Sequence, residues 1–479
     1  MKFNELDKGQ ILRNIIGYIF LCLLSFDCNK LVHVPNPINS VTTTEVFSSD
    51  ATATAAMLGI YSYMISTPAF SNSLTTVYLG ESADELIDEL PGNEGNDLFL
   101  VNNLTALQSS GTVSSFLWQP AYYDIYCANA IIAGIQASKA ISSSTANQLI
   151  GEAKFIRAFC YFYLVNLFGN IPLNLNIDFN KTVLLSESSQ AQVYQQITND
   201  LLDAQNLMIS DFSLSNGQPI RANKWAATAL LARVYLYRGE WQSADSAATA
   251  VINSGLFRLV SLDSVFLANS AESILESVPA NNYPYATWEG NTFIPYDSIL
   301  LPAYWLTPQL LDAFETGDQR RISWVDSADP SGLGTYYYYP YKYKVMVGSP
   351  GPSTENYTLL RLAEQYLIRA ESECEPGGQQ NLSQAIADVN VIRLRAGLPA
   401  LSTALTQSLV MAAIQQEWRM EYFAEWGHRW LDLRRWGISI QTLDTVSYKL
   451  GYIDSTQLLY PIPMSEIQTD PNLIQNQGY

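Results

Sequence analysis

Three carboxylates recur at four-residue intervals near the C-terminus, Glu417, Glu421 and Glu425, with Asp432 a little further on. Two carboxyl groups facing each other across a sugar, roughly 5 to 9.5 Å apart and one with a raised pKa, are the machinery of glycoside hydrolysis. The string EWRMEYFAEWGHRWLDLRRWG at 417–437 also carries Arg419, Arg429, Arg434 and Arg435. Spacings of i, i+4 and i+8 put the carboxylates on one face of a helix. Guanidinium groups beside them favour the ionised form and a structural role. The segment therefore reads as an ion-paired, Trp-lined helix rather than an acid/base pair. Trp418, Trp426, Trp430 and Trp436 read as core, and His428 as a structural histidine, with no Ser or Cys nucleophile signature beside it.

Other chemistry is sparse. His33 and His428 are the only histidines, and Cys127, Cys160 and Cys374 are an odd, widely spaced set with no CxxC pattern. Neither a disulfide framework nor a zinc site follows; Cys160 and Cys374 lie in apolar helical patterns and read as buried thiols. Glu81, Asp84 and Glu85 cluster at 79–85 without the loop spacing of an EF-hand. No metal and no cofactor are expected. The net charge of −19, with no basic cluster outside the C-terminal helix, speaks against a nucleic-acid partner. Charged residues make up only 15% of the 479 residues, and polarity is carried by Ser, Thr, Asn, Gln and 29 Tyr. Such a surface suits a neutral, hydroxyl-rich ligand.

Binding chemistry of that kind needs aromatic faces for the C–H side of a pyranose and amides or carboxylates for its hydroxyls. Two non-periodic blocks, about 78–112 and 256–357, supply both. The first contributes Asp84, Asn93 and Asn96; the second contributes Asn282, Tyr283, Tyr285 and Trp288, then Tyr336 and Tyr338 within TYYYYPYKYK. An alternative reading makes 336–339 a strand, alternately buried and exposed, and 281–290 a packed loop. Long insertions without periodicity inside a regular framework are more often functional than accidental.

The framework that positions these blocks is helical. Apolar periodicity predicts helices over 51–66, 116–137, 146–168, 193–208, 223–238, 241–253, 358–374 and 382–395. The 146–168 helix is apolar on nearly every side and stops at Gly169–Asn170 before Pro172. The pairs 223–238/241–253 and 358–374/382–395, joined by short turns with small residues at the crossing, resemble tetratricopeptide repeats. The Pro- and Asn-rich tail after Leu459 stays ordered only if it is laid on a larger body.

At the N-terminus Lys2, Lys8 and Arg13 precede a twelve-residue apolar run over 15–26, followed by Cys28. The run is too short to span a bilayer and suits a signal-peptide core. A lipoprotein signal at 1–27, acylation of Cys28 and a tether at 28–41 are expected, although Asp27 stands where such signals usually carry a small residue. The alternative is an ordinary secretory signal with an incidental cysteine.

Seven strings in order, among them the Trp118–Asn129 pattern, EAKFIRAFCYFYLVNLFGNIPL at 152–173, RANKWAATALLARVYLYRGEWQSA at 221–244 and both terminal strings, resemble the SusD-like (RagB/SusD) family. The resemblance covers nearly the whole chain. It implies a mostly α fold, one integrated domain over 42–479, with tetratricopeptide-like helix pairs forming a scaffold for a large irregular, loop-rich ligand-binding region. It further implies a glycan-binding lipoprotein without catalytic machinery, anchored by lipid in the outer membrane and facing the cell exterior. Its partner would be a TonB-dependent β-barrel transporter (SusC-like) used in nutrient uptake. Competing functions are a secreted glycoside hydrolase and a repeat scaffold that binds only protein.

Overall fold

A computed structural model describes residues 43–66, 69–88, 97–107, 110–279, 286–349, 354–449 and 454–479. Expectations for Cys28, Asn93, Asn96, Asn282, Tyr283 and Tyr285 fall outside these residues. Thr43–Val46 is a single helical turn, and residues 47–479 form one unit.

Local signals set the helix ends. Helix α1 (Asp50–Ser66) starts where Ser49 Oγ accepts the Thr52 N–H at 3.2 Å, and α2 is Ser73–Ser82. A π turn at Ser114–Trp118 leads into α3 (Gln119–Ala137) with Pro120 in its first turn, where a missing N–H costs nothing. Ser142 caps α4 (Ser143–Phe168), which ends at Gly169 with φ +79°, a conformation open chiefly to glycine. Helix α4 is buried along almost its whole length, as its all-round apolar sequence requires. A Ser189/Gln192 capping box opens α5 (Gln190–Leu207), which lies along α4.

The repeat-like pairs follow. Asn223 caps α6 (Lys224–Tyr237), and Gly239, at φ +67°, turns the chain into α7 (Trp241–Ile252). Helices α8 (Leu362–Cys374), α9 (Leu382–Arg395) and α10 (Gln407–Tyr422) complete the layer, with α11 (His428–Arg435) after a break. Ala244, Ala248, Ala363, Leu367, Ile386, Val389, Ile414 and Trp418 form one buried cluster across α7 to α10. Small alanines at these crossings let the backbones approach, and the larger Leu, Ile and Trp fill the space between.

Short strands sit in the non-periodic blocks: β1 (Leu86–Asp88), β2 (Ser273–Ser277), β3 (Tyr304–Leu306), β4 (Val325–Ala328), β5 (Tyr337–Pro340) and β6 (Tyr357–Arg361). They pair antiparallel as β1–β3, β2–β6 and β4–β5. Here the structure corrects the expected helix over 358–374. Its first four residues belong to β6, and the helix begins at Leu362. Every residue of β6 is buried, so its apolar run lacks the alternation that separates a strand from a helix.

The tail is tied down by its own polar groups. Tyr460 N–H donates to Leu167 O at 2.7 Å, and its hydroxyl lies 2.7 Å from Ser82 Oγ. Asn476 Nδ2 donates to Phe168 O and Tyr460 O. Those bonds also satisfy carbonyls left open at the end of α4.

Candidate functional site

Glu425 does not share a helix with Glu417 and Glu421. Helix α10 stops at Tyr422, and Ala424, Trp426 and Gly427 take positive φ of +46°, +52° and +67°. Two such non-glycine residues cost on the order of 1–3 kcal/mol each. They are held by Ala424 N–H on Glu85 Oε2, Trp426 N–H on Thr76 Oγ1 and Trp426 Nε1 on Thr358 O at 2.9 Å. The break turns Glu425 back towards the same interior that Glu417 and Glu421 face.

The arginines that neutralise this cluster are not the adjacent ones. Arg320 reaches Glu417 Oε2 at 2.8 Å and Glu421 Oε2 at 3.2 Å, and is anchored on Asp318. Arg361 binds Glu421 Oε1 at 2.5 Å, Glu425 Oε1 at 2.8 Å and Glu272 Oε1 at 3.2 Å. Arg393 pairs with Glu417, Arg395 with Glu272 and Glu421, and Lys342 with Glu425. By contrast Arg419 and Arg429 both hold Asp84, at 2.6 and 2.7 Å, while Arg435 holds Glu371 and Asp432. Arg434 donates to the carbonyl of Asn166. Arg419 lies two residues from both Glu417 and Glu421, on the opposite face of α10, while Arg429, Arg434 and Arg435 follow the break.

Electrostatically the cluster is a closed, salt-bridged core. Burial alone would raise Glu421, but Arg395, Arg361 and Arg320 together hold it well below the ordinary carboxylate range. Burial, followed by the charges of Arg233, Arg361 and Arg435, keeps His428 neutral; its ring lies against Tyr422 and Trp418. Trp418, Trp426 and Trp430 are buried, and Trp436 is partly so. Glu417, Glu421 and Glu425 face arginine and lysine, closed from solvent.

Open chemistry lies instead on the short strands. The β1–β3 ladder pairs Ile87 with Trp305 and Asp88 with Tyr304. The β4–β5 ladder pairs Ser327 with Tyr338 and Ala328 with Tyr337. Trp305 packs edge-on to Tyr337, with ring centroids 5.2 Å apart, and so joins the two ladders. Tyr336 and Tyr338 lie 6.5 Å apart, and Arg321 sits 4.3 Å over the Tyr338 ring. Tyr336 is exposed, and Tyr304, Trp305, Tyr337 and Tyr338 are half-buried. Half-buried rings keep a fixed orientation and still offer a face to solvent. Asp326 is exposed beside them and accepts the Tyr339 hydroxyl at 3.3 Å.

Of the residues singled out from sequence, Tyr336 and Tyr338 lie on this surface. Exposure falls from Tyr336 to Tyr339 rather than alternating, because β5 runs from solvent into the body. Asp84 and Trp288 are placed inside. Asp84 is 2% exposed and committed to two arginines; Trp288 is 8% exposed and donates through Nε1 to Ile65 O at 2.7 Å. Burial would raise the Asp84 carboxyl, but Arg429 and Arg419 outweigh it and hold it below its ordinary value. Sequence reasoning passed over Tyr304, Trp305 and Arg321. The available signal was the Tyr304–Trp305 pair between Pro302 and Pro308, in the block already marked as non-periodic.

Comparison with known proteins is consistent along the chain. A family model described as the SusD family matches residues 281–479, and one described as starch-binding associating with outer membrane matches residues 82–236. The chain is 27% identical to SusD-like protein P2 of Formosa agariphila over 97% of this chain and 99% of that one. It is 25% identical to the starch-binding protein SusD of Bacteroides thetaiotaomicron, over 68% of this chain and 72% of that one. Among solved structures, a SusD superfamily protein from Bacteroides vulgatus superposes with a TM-score of 0.77 at 23% identity, covering 90% of this chain and all of the other. A laminarin-binding SusD-like protein gives 0.74 at 24% identity, over 90% of this chain and 100% of its own. These superpositions establish the shared fold.

Proposed function

Because the chain belongs to the SusD family, we propose that it is a surface glycan-binding protein whose site is the aromatic ridge of β3 and β5. The observation that carries this reading is the pair of half-buried aromatic faces on these ladders, Trp305 against Tyr337 with Asp326 on one side and Tyr338 under Arg321 on the other, on an otherwise helical scaffold. Rings take the apolar faces of sugar units; the guanidinium and carboxylate take hydroxyls. Relatives named for starch and laminarin binding support a glucan-type ligand. The segments 89–96 and 280–285, which lead out of β1 and into residue 286, would supply the remaining contacts, Asn93, Asn96, Asn282, Tyr283 and Tyr285 among them.

The carboxylates most suggestive of hydrolysis are buried among arginines, which favours binding without turnover. Among the described residues no helix is long and apolar enough to cross a membrane. The proposal includes a lipid anchor at Cys28, an outer-membrane location facing outward, and delivery of glycan to a TonB-dependent transporter. The test is affinity electrophoresis of the full chain in gels containing soluble starch or laminarin, with product analysis of the same glycans. Retardation without shortening of the glycan supports binding. Shortening would establish the hydrolase instead, and no retardation on a broad glycan panel, with the transporter still co-purifying, would leave the protein scaffold.

A further inference from the structure

A second group of exposed rings lies on α1, the π turn and α3, away from β3 and β5 in the chain. Tyr63, Phe116, Tyr123 and Tyr126 are 37–49% exposed, and the Tyr63 and Tyr123 rings lie 4.5 Å apart. Tyr123 and Tyr126, three residues apart, share one face of α3. Beside them opens a cavity of about 420 Å³ lined by Tyr63, Ser71, Tyr78, Ser115, Phe116 and Asp124.

Asp124 is the unusual member. It is 1% exposed, and neither carboxyl oxygen has a hydrogen-bond partner among the described residues. Asp84, Asp200, Glu152 and Glu364, equally buried, are each matched by an arginine. A buried polar group without a partner costs about 1–3 kcal/mol, so its retention on a cavity wall points to a ligand. Burial pushes the Asp124 carboxyl well above its ordinary range, with no cation contributing. In its protonated form it can donate and accept at once. Two neighbouring sugar hydroxyls need that pairing, while Phe116 and Tyr63 can take the ring's apolar face. An ammonium ligand would require the buried acid to ionise.

We propose that the Asp124 cavity and its aromatic rim form a second carbohydrate subsite, which takes the vicinal hydroxyls of a neutral sugar ring. This inference rests on the glycan-binding reading above. Such a subsite gives one polysaccharide chain two points of attachment, so that affinity for polymer exceeds affinity for short oligosaccharides.

The experiment titrates full-length protein, Asp124→Leu, Phe116→Ala and Trp305→Ala with laminarin, soluble starch and their short oligosaccharides. Asp124→Leu keeps the branched shape and removes a polar group with no hydrogen-bond partner among the described residues, and the open cavity beside it takes the larger methyls, so its Tm should be no lower. Expected for Asp124→Leu and Phe116→Ala is a roughly tenfold weaker hold on polymer, the size of one or two lost hydrogen bonds or one lost stacking face. Unchanged polymer affinity in both variants, with Trp305→Ala impaired, overturns the subsite and leaves the main site standing. If Asp124→Leu fails to fold, Phe116→Ala on the exposed rim decides. Loss in the Asp124 and Phe116 variants but not in Trp305→Ala would support the cavity and refute the ridge. A wild-type protein that binds no glycan in a broad panel would overturn both. Tighter binding of glucosamine than of glucose at neutral pH would assign the cavity to a cationic ligand and overturn the diol reading.

Discussion

Replacing Arg361 by Met tests whether the carboxylate cluster is a clasp or a site. Arg361 is 1% exposed and makes bonds to Glu272, Glu421 and Glu425, besides donating to the Glu421 carbonyl at 2.8 Å. Methionine keeps most of the volume and removes the charge. Glu421 would retain Arg395 and Arg320, Glu425 would retain Lys342, and Glu272 would retain Arg395. The loss is thus partial, yet one positive charge goes from a buried network. Breaking such a network by removing one partner costs about 3–5 kcal/mol, a large share of the roughly 5–15 kcal/mol that holds a domain folded. The urea midpoint, followed by tryptophan fluorescence at neutral pH, should fall accordingly. Adding Glu421→Gln removes the excess negative charge left in the network and should recover part of the loss. A loss under about 1 kcal/mol, or no recovery in the double variant, would refute the clasp account. Glycan affinity should fall only as far as the ridge itself opens; a lost affinity at unaltered stability would return this cluster to the ligand site.

Further outcomes follow from other features. Trp305→Ala should weaken glycan binding by about 2 kcal/mol, roughly 30-fold, with Tm nearly unchanged, and equal affinity by titration would remove it from the ridge. Gly427→Ala should destabilise by about 2–3 kcal/mol, since φ is +67° and a Cβ would lie 2.2 Å from Leu79 Cδ2; an unchanged Tm would contradict this. Burial pushes Glu289 up to about 8, from 4.5. The folded chain thus holds a proton that the unfolded chain has released, and stability from this source falls as pH rises between those values. Glu289→Gln should flatten the drop in urea midpoint between about pH 5.5 and 8, and parallel curves for the two proteins would refute it. Cys28→Ala should move the protein from the membrane to the soluble fraction; unchanged fractionation would sink the anchor.

How far the fold could be read in advance depended on the range of the signals. Helices α1, α4, α6 and α9 carry their caps and apolar faces within one segment, and α7 its apolar face, so local pattern located them within a few residues. Strand β6 was read as helix because its partner β2 lies more than eighty residues away and both faces are buried. The ion pairs failed for the same reason. Arg320 and Arg361 are 97 and 60 residues from the glutamates they hold, whereas local spacing offered Arg419 and Arg429. On the aromatic strands, composition marked the block that holds them, and Tyr336 and Tyr338 keep an exposed or half-buried ring there. It could not separate the half-buried Trp305 from the anchored Trp288, since a Trp beside Tyr and Pro looks the same in either setting.

The division of labour between the two regions has a physical cause. A site that reads neutral hydroxyls needs rings and a few polar groups held at set angles in contact with water, and short strands with half-buried residues provide that. Such strands bury too little to order themselves. Here β3 pairs with β1, which follows directly on the segment whose Glu85 receives Ala424 N–H at the break after α10. Lys342, two residues beyond β5, is fixed by Glu425 and the Glu421 carbonyl. The strands of the ridge are thus moored to the charged clasp at both ladders. Loosening the clasp should therefore disorder the ridge before it unfolds the helical layer. Hydrogen exchange on Arg361→Met gives the order: protection in 304–306 and 337–340 should fall ahead of that in α6 to α9. Simultaneous loss everywhere would show that ridge and scaffold open as one unit, and that the mooring is no weaker than the core it joins.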